Sequence, residues 1–423
     1  MPNILFISYD GMTDPLGQSQ VIPYLTGLTQ YGYRFTILSC EKPSQYRLHK
    51  NHIENLLAPY PIEWVPLPYH KNPPVLSSVF DLVRLKQKAT NLHSKEGFDM
   101  VHTRSGTPAL VGLWMKKKLA IKFLNDVRDF YADSRRDDGS WNEKKIIFNS
   151  IYKFFKKNEK EQIEQNNGMV CLTHKAEKII KALPYYKPGT PLEVIPCSVD
   201  MQLFDPNNID INLKENFEKK LGIVKEDVVF SYLGSIGGWY LINEMMTFFK
   251  TISQTVPRAK FLFISPHQHQ QIYRLASNAG ISDDKLVVIH AQRNEVPALL
   301  SFSDYSVFFI KPCYSKQASS PTKHGEIMAM GIPVITNSGV GDVAEIIKKY
   351  NSGVILKSLT EPDYLKTAKL FTQKNAFDKI AIRNGAKQYF ALEDAVSKYR
   401  NIYDLILNGN KPVSETVNAG LVK

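Results

Sequence analysis

At 423 residues the chain is too long for one ordinary core and suits two domains of roughly 200 residues each. Its 43% hydrophobic and 22% charged content is that of a soluble globular protein. No run reaches the ~18 apolar residues that a bilayer-spanning helix needs. A net charge of +12 calls for a polyanionic neighbour: nucleic acid, an anionic membrane or a phosphorylated substrate.

In chain order the sequence alternates strand-like and helical runs. The opening Met1–Ser8 has no basic segment and no long apolar run, so it reads as a first strand and not a signal peptide. Strands are predicted at Asn3–Tyr9, Arg34–Cys40, Ile62–Leu67, Met100–Thr103, Ile121–Val127, Gly168–Thr173 and Leu192–Ile195. A second set follows at Val228–Leu233, Lys260–Ser265, Lys285–His290, Tyr305–Ile310, Ile332–Thr336 and Gly353–Leu356. Such alternation specifies an α/β fold of two doubly wound parallel sheets. The polar, turn-rich Asp205-Pro206-Asn207-Asn208 divides residues 1–205 from 206–391. A last helix near 392–408 has the means to pack back on the first domain, and the polar tail 409–423 reads as mobile. The four cysteines are far apart and lack zinc-site or secreted-disulfide spacing, so buried thiols in a reducing cytoplasm are expected. No zinc finger, RNA-binding aromatic signature or compact helix-turn-helix unit is present. Nucleic acid drops out, leaving membrane and phosphate.

The loop after the first strand, Asp10–Gln20, precedes a helix expected at Val21–Tyr31 and carries Asp14, either a turn former before Pro15 or an acceptor-binding acid. His102 and Arg104 end the fourth strand. Asp126, Arg128 and Asp129 end the fifth, where polar side chains of a parallel sheet point into the ligand crevice. Arg128 suits either a structural pair with an Asp or a phosphate contact. Lys144–Lys160 interleaves Ile147, Phe148, Ile151, Phe154 and Phe155 with six lysines. That pattern is either a packed helix with a solvated basic face or one lying on a membrane surface. The turn Gly234-Ser235-Ile236-Gly237-Gly238 is glycine-rich, which permits close backbone approach to a phosphate or sugar, or is a plain tight turn. Asp342, after Gly339-Val340-Gly341, is expected to cap its own helix.

The most informative stretch is Ser319–Ile335. Ser319 or Ser320 can serve as N-cap, Pro321 suits the first helical position, and Gly331 ends the helix. A helix start with the Lys323 charge and the Ser319, Ser320 and Thr322 hydroxyls suits a diphosphate. Glu326, one turn on, is spaced to accept from a pair of ribose hydroxyls.

This stretch resembles the donor motif of the retaining glycosyltransferases of family 4, which have the GT-B fold of two Rossmann-like domains facing a cleft. The family's pattern is Glu, seven residues, Glu. Glu326 matches the second Glu, whereas the first falls on Ala318, a departure. Ser-Pro-Thr-Lys-x-Gly-Glu is similar to a variant found in part of that family. The resemblance implies an N-domain for the acceptor and a C-domain for a nucleotide-diphospho-sugar, UDP-linked in preference to GDP-linked. It aligns Gly17 with a glycine that reaches the donor pyrophosphate, and Gly234, Ser235, Gly237 and Gly238 with the donor-phosphate loop. Relatives often carry an Arg and a Lys in that loop, and this chain has neither, so more weight falls on Lys323. His290–Pro297, with Arg293, resembles the base-contacting segment. Lys323, Arg128 and Asp126 are the implied catalytic group; Asp14, His102, Arg104 and Asp129 are the implied acceptor group. The acceptor implied is a glycan or polyprenyl-linked, in the cytoplasm or on the inner membrane face, with an anionic membrane as a further partner. There is no Asp-x-Asp metal motif of the GT-A kind, no His-Glu-x-x-His and no Gly-x-Ser-x-Gly, so no metal or cofactor is expected.

Overall fold

The computed structural model describes residues 1–372 and 377–409; the expected mobile tail lies, after its first residue, outside them. Among the described residues thirteen strands form two parallel sheets. The first contains β1 (Asn3–Ser8), β2 (Arg34–Glu41), β3 (Ile62–Pro68), β4 (Met100–Arg104), β5 (Lys122–Val127), β6 (Gly168–Cys171) and β7 (Leu192–Val194). Its order is β3-β2-β1-β4-β5-β6-β7. The second contains β8 (Val228–Leu233), β9 (Ala259–Ile264), β10 (Leu286–Ile289), β11 (Tyr305–Phe308), β12 (Val334–Asn337) and β13 (Gly353–Leu356), ordered β10-β9-β8-β11-β12-β13. Every predicted strand is present. The inner strands are buried on both faces, which is why they read as continuous apolar runs instead of alternating.

In both sheets the order reverses beside the first strand, between β1 and β4 and between β8 and β11. Ligands of such sheets bind in the crevice past the carboxyl ends of the strands at that point. His102 and Arg104 lie at the end of β4 and Asp126 near the end of β5, while Asp14, Arg128 and Asp129, Gly234 to Gly238, and Arg293 lie in the loops after β1, β5, β8 and β10.

The final helix, Leu392–Leu407, packs on the first sheet, not the second. Val396, Tyr399, Ile402, Tyr403 and Ile406 join the core of Phe6, Tyr24, Leu25 and Phe35. Val199 and Ala391 bridge where the chain crosses.

Two local expectations are corrected. The helix expected at Val21–Tyr31 begins earlier and is broken: Pro15–Gln20 and Ile22–Thr29 meet at Val21, whose φ of −130° is not helical. Pro15, at the first helical position, starts the helix inside what reads as loop. Asp342 does not cap its own helix, Val343–Tyr350, through its side chain. Its carboxylate crosses to the first domain and accepts from the backbone N–H groups of His174 (2.6 Å) and Lys175 (3.2 Å) at the start of the helix His174–Lys181, and from the Tyr389 hydroxyl. A helix start offers unpaired N–H groups and partial positive charge, and here a carboxylate from the other domain fills that role. Beside it, Thr173 Oγ1 donates to Gln317 O across the same boundary.

Asp342→Ala should therefore destabilise the protein by about 1–2 kcal/mol, the scale of a lost N-cap, and Asp342→Asn by less. Denaturant unfolding checks this. An unchanged midpoint for the alanine variant would mean that the carboxylate does not hold the domains together.

Candidate functional site

In the second domain the helix Thr322–Ala329 starts one position later than expected. Pro321 is its N-cap residue, and no side chain caps it. Ser320 Oγ instead accepts from the backbone N–H of Cys197, at 3.2 Å, on the segment joining the two sheets. Ser319 and Thr322 are half-buried beside it. The helix N–H groups are thus left without a side-chain acceptor at a place that faces the domain boundary.

Lys323 is the unusual group. Its side chain is buried, and its Nζ has no hydrogen-bond partner. The amine lies 3.8 Å from the centre of the Tyr240 ring and 4.2 Å from that of Tyr232. It also stands 3.0 Å from where a Cβ on Gly234 would be, so the glycine there leaves it room. Gly234 has φ +114°, which favours glycine independently. Burial pushes the amine down to about 7 against the opposing pull of Glu326. Two π faces stabilise a cation in part, and an anion would do so fully. Gly237 and Gly238, both at positive φ, are exposed beyond it, and the Tyr232 hydroxyl donates to Ser235 O at 2.6 Å, fastening the turn.

One turn on, Glu326 is buried and its Oε1 accepts from Arg293 Nη1. Arg293 also stacks its guanidinium 4.9 Å from the Phe204 ring. The structure thus brings together Gly234, Lys323, Glu326 and Arg293, which are up to 92 residues apart in sequence. His324, by contrast, is enclosed by Phe308 and Phe390, and burial lowers its ring to about 3, so it is a neutral core residue.

The first domain offers a second cluster. Asp126 Oδ2 accepts from the Tyr399 hydroxyl at 2.9 Å and lies 3.4 Å from both His102 Nε2 and Arg128 Nε. Tyr403 reaches the other His102 nitrogen at 2.7 Å. Burial alone would raise the Asp126 carboxyl, but Arg128, His102 and Arg104 hold it at about 2. Burial keeps His102 neutral. Arg128 is buried, with Nε and Nη1 lacking hydrogen-bond partners. Arg104 contacts Gln20 O and Asp10. The two clusters meet around Cys197, whose thiol is a close neighbour of Arg128, Tyr24 and Tyr240.

The other selected residues are more dispersed. Asp14 pairs with Lys42 at 2.9 Å. Asp129 accepts from Ser105 Oγ at 3.0 Å, burial raises its carboxyl, and Lys316 of the other domain is a close charge. Gly17 is a packing glycine: a Cβ there would stand 2.2 Å from Gly11 O. The opening loop is held by buried Glu41, which accepts from Met12 N, Thr13 N, Thr13 Oγ1 and Ser39 Oγ.

Sequence reasoning missed Tyr232, Tyr240, Tyr399, Glu41 and Lys316. Lys316 lies 3.8 Å above the Trp239 ring and is buried between the domains. Only Tyr399 and Tyr403 left a trace, as an i, i+4 pair on the last helix. Ala318, at the position of the absent first Glu, is fully buried among Phe130, Ile163, Met169 and Ile180 of the first domain. Among the described residues, no group of three or more His, Cys, Asp or Glu side chains is placed to hold a metal ion.

Residues 214–388 match the family described as glycosyl transferases group 1. No curated protein matches the chain in sequence. Solved structures are similar over nearly its whole length. A glycosyltransferase from Rickettsia africae ESF-5 is 16% identical, covers 96% of this chain and 98% of its own, and superposes with a TM-score of 0.70. The sucrose-phosphate synthase of Thermosynechococcus elongatus is 13% identical, covers 97% and 100%, with a TM-score of 0.74. Anabaena Alr3699/HepE, in complex with UDP and glucose, is 12% identical, covers 96% and 100%, with a TM-score of 0.70. The fold is GT-B.

A buried unpaired amine has a stability signature. Lys323 releases its proton near 7 when folded but near 10.5 when unfolded. Between these values the unfolded chain binds more protons, so stability rises with pH; below them the full penalty is present. Lys323→Met should raise stability at neutral pH by about 1–3 kcal/mol, the cost of an unsatisfied buried polar group, and flatten its rise with pH. Denaturant melts of both proteins from pH 7 to about 9 test this window. Parallel pH profiles would show that the amine is already satisfied.

Proposed function

We propose that the chain is a retaining, metal-independent hexosyltransferase of family 4. In this reading it moves a sugar from a nucleotide-diphospho-sugar to a glycan or polyprenyl-linked acceptor in cell-surface polysaccharide synthesis. The observation that carries the proposal is Lys323, a buried amine without a partner at an uncapped helix start, opposite a glycine turn. A diphosphate supplies the missing anion. The helix N–H groups and the Lys323 ammonium then stabilise the charge that grows on the leaving phosphate as the glycosidic bond breaks. That fixed positive charge is what the metal-free reading rests on.

Glu326, held by Arg293 through one oxygen, takes the ribose hydroxyls with the other. The Arg293 segment then lies beside the base. A UDP-sugar is favoured over a GDP-sugar, and the UDP and glucose bound in the Anabaena structure support that class of donor. Arg128, backed by Asp126, faces the donor from the first domain, while Arg104, Asp129, Asp14 and His102 belong to the acceptor side. His102 acts there only by orienting Asp126, since it is buried and neutral. In this reading no side chain acts as a nucleophile. Front-face attack by the acceptor hydroxyl, its proton passing to the leaving phosphate, accounts for retention. Buried free thiols at Cys40, Cys171 and Cys197 suit a reducing cytoplasm.

One observation favours a second reading, an inactive nucleotide-sugar-binding partner subunit: the first Glu of the motif is replaced by Ala318, packed away in apolar contact. Tight donor binding with neither transfer nor hydrolysis would select it.

Two outcomes are expected. Glu326→Ala should weaken nucleotide binding by about 1.5–3 kcal/mol, the scale of hydrogen bonds to a charged group, measured by calorimetry on folded protein. Unchanged affinity removes Glu326 from the ribose site. Transfer from a UDP-sugar should persist in excess chelator. Loss of activity that magnesium or manganese restores would contradict the metal-free reading.

A further inference from the structure

A cavity of about 660 Å³, counting its opening to solvent, lies in the first domain between β5, the helix Ile146–Gln165 and the helix His174–Lys181. Neither the glycine turn after β8 nor the Lys323 helix lines it. Small-molecule sites of this size combine apolar walls with a few convergent polar groups. Here Tyr131 and Phe155, ring centres 5.0 Å apart, form part of the apolar wall, with Ile180 and Leu183.

The polar groups are unusual. Asn125, on β5, is 3% exposed, and Gln162, on the helix Ile146–Gln165, is 8% exposed. Both line the cavity, and neither side-chain amide has a hydrogen-bond partner among the described residues. Buried amides are ordinarily paired, and an unpaired one costs stability that an apolar side chain of the same size would not. Two carboxylates join them. Asp129 accepts from Ser105 Oγ at 3.0 Å. Glu159 accepts from Lys156 through Oε1, and its Oε2 has no hydrogen bond among the described residues. Burial raises both carboxyls, so a further hydrogen-bond donor would stabilise their charged forms. Lys156, the one cation on the wall, is already paired, since Asp133 also accepts from it at 3.0 Å.

The cavity's position connects it with the donor turn. Asp129 has Lys316 of the second domain as a close charge. Lys316 stands 3.8 Å from the centre of the Trp239 ring, and Trp239 follows Gly237-Gly238 directly. Tyr314, also of the second domain, lines the cavity and stacks on Phe130. A hydrocarbon chain held here would leave the amides and carboxylates without partners. An anionic ligand would meet two carboxylates and no free cation. A neutral sugar suits the whole lining. Its hydroxyls donate to carboxylates and pair either way with amides, and its C–H face packs on the aromatic wall.

We infer that this cavity binds one neutral sugar unit of the acceptor, so that the acceptor is recognised as a glycan and not through a polyprenyl chain. The inference rests on the transferase reading, but its test requires no transfer. Methyl glycosides of glucose, galactose, mannose and N-acetylglucosamine are titrated into full-length protein, with and without UDP, and followed by ligand-observed NMR. Farnesyl phosphate and glucuronic acid are titrated in parallel. At least one neutral glycoside should bind, and Gln162→Met and Asn125→Leu should each weaken it about fivefold, the effect of one lost hydrogen bond. Both variants should keep the parent affinity for UDP. Both should melt at or above the parent temperature, because each removes a buried amide without a partner. Absence of glycoside binding, or undiminished binding by the folded variants, overturns the inference. So does tighter binding of farnesyl phosphate or glucuronic acid that Gln162→Met weakens. A lower melting temperature in both variants would show that the fold itself uses the amides, and overturns it as well. UDP calorimetry separates the two readings: failure to bind UDP removes the donor reading, while glycoside binding that Gln162→Met weakens leaves the sugar site standing.

Discussion

Across the boundary between the two sheets, the carboxylate of Asp342 sits on the N–H groups that open the helix His174–Lys181. Around it, Thr173 Oγ1 donates to Gln317 O, Cys197 N donates to Ser320 Oγ, Asp137 accepts from Ser315 N, and the Phe130 and Tyr314 rings stack. Lys311 donates to Asp137 O and Glu345 pairs with Lys175, but the partners just named, Asp342 aside, come from one short stretch, Tyr314–Ser320. That stretch runs directly into the helix Thr322–Ala329. The contacts that join the domains therefore also set where Lys323 and Glu326 stand relative to the first domain.

This coupling explains why Ser320 is not an N-cap. Its hydroxyl is committed to Cys197, and the helix start behind it is left open. A folded protein tolerates such a group at modest cost when the gain lies elsewhere. The same holds for Lys323, whose amine faces two aromatic rings without a hydrogen-bond partner, and for Arg128, two of whose guanidinium nitrogens lack a hydrogen-bond partner beside Asp126. The second domain thus offers a buried amine without a hydrogen-bond partner, and the first a buried guanidinium whose carboxylate neighbour, Asp126, also contacts His102 and Tyr399.

The last helix adds a second tie. It leaves the second domain at Ala391, returns to the first sheet and inserts Tyr399 and Tyr403 beneath β4 and β5. Their hydroxyls end on Asp126 and His102. The orientation of the Asp126–Arg128 pair thus depends on residues some 270 positions later in the chain.

What the sequence determined by itself was local. Thirteen strands, their parallel arrangement, the return of the last helix as a possibility, and the Gly234 and Ser319–Glu326 segments were all legible, because buried parallel strands are continuous apolar runs and glycine turns follow them. Lys323, Glu326, Arg293 and Arg128 were legible as polar residues at strand ends or helix starts. Tertiary structure decided their partners. That Asp342 serves another domain's helix, that Tyr232 and Tyr240 wall Lys323, that Glu41 holds the opening loop, and that Ala318 is packed against the first domain all depend on segments far apart in sequence. The reason is physical: a turn or a cap is specified by neighbours within four residues, whereas the partner of a buried charge is whichever group the packing of two sheets brings within reach.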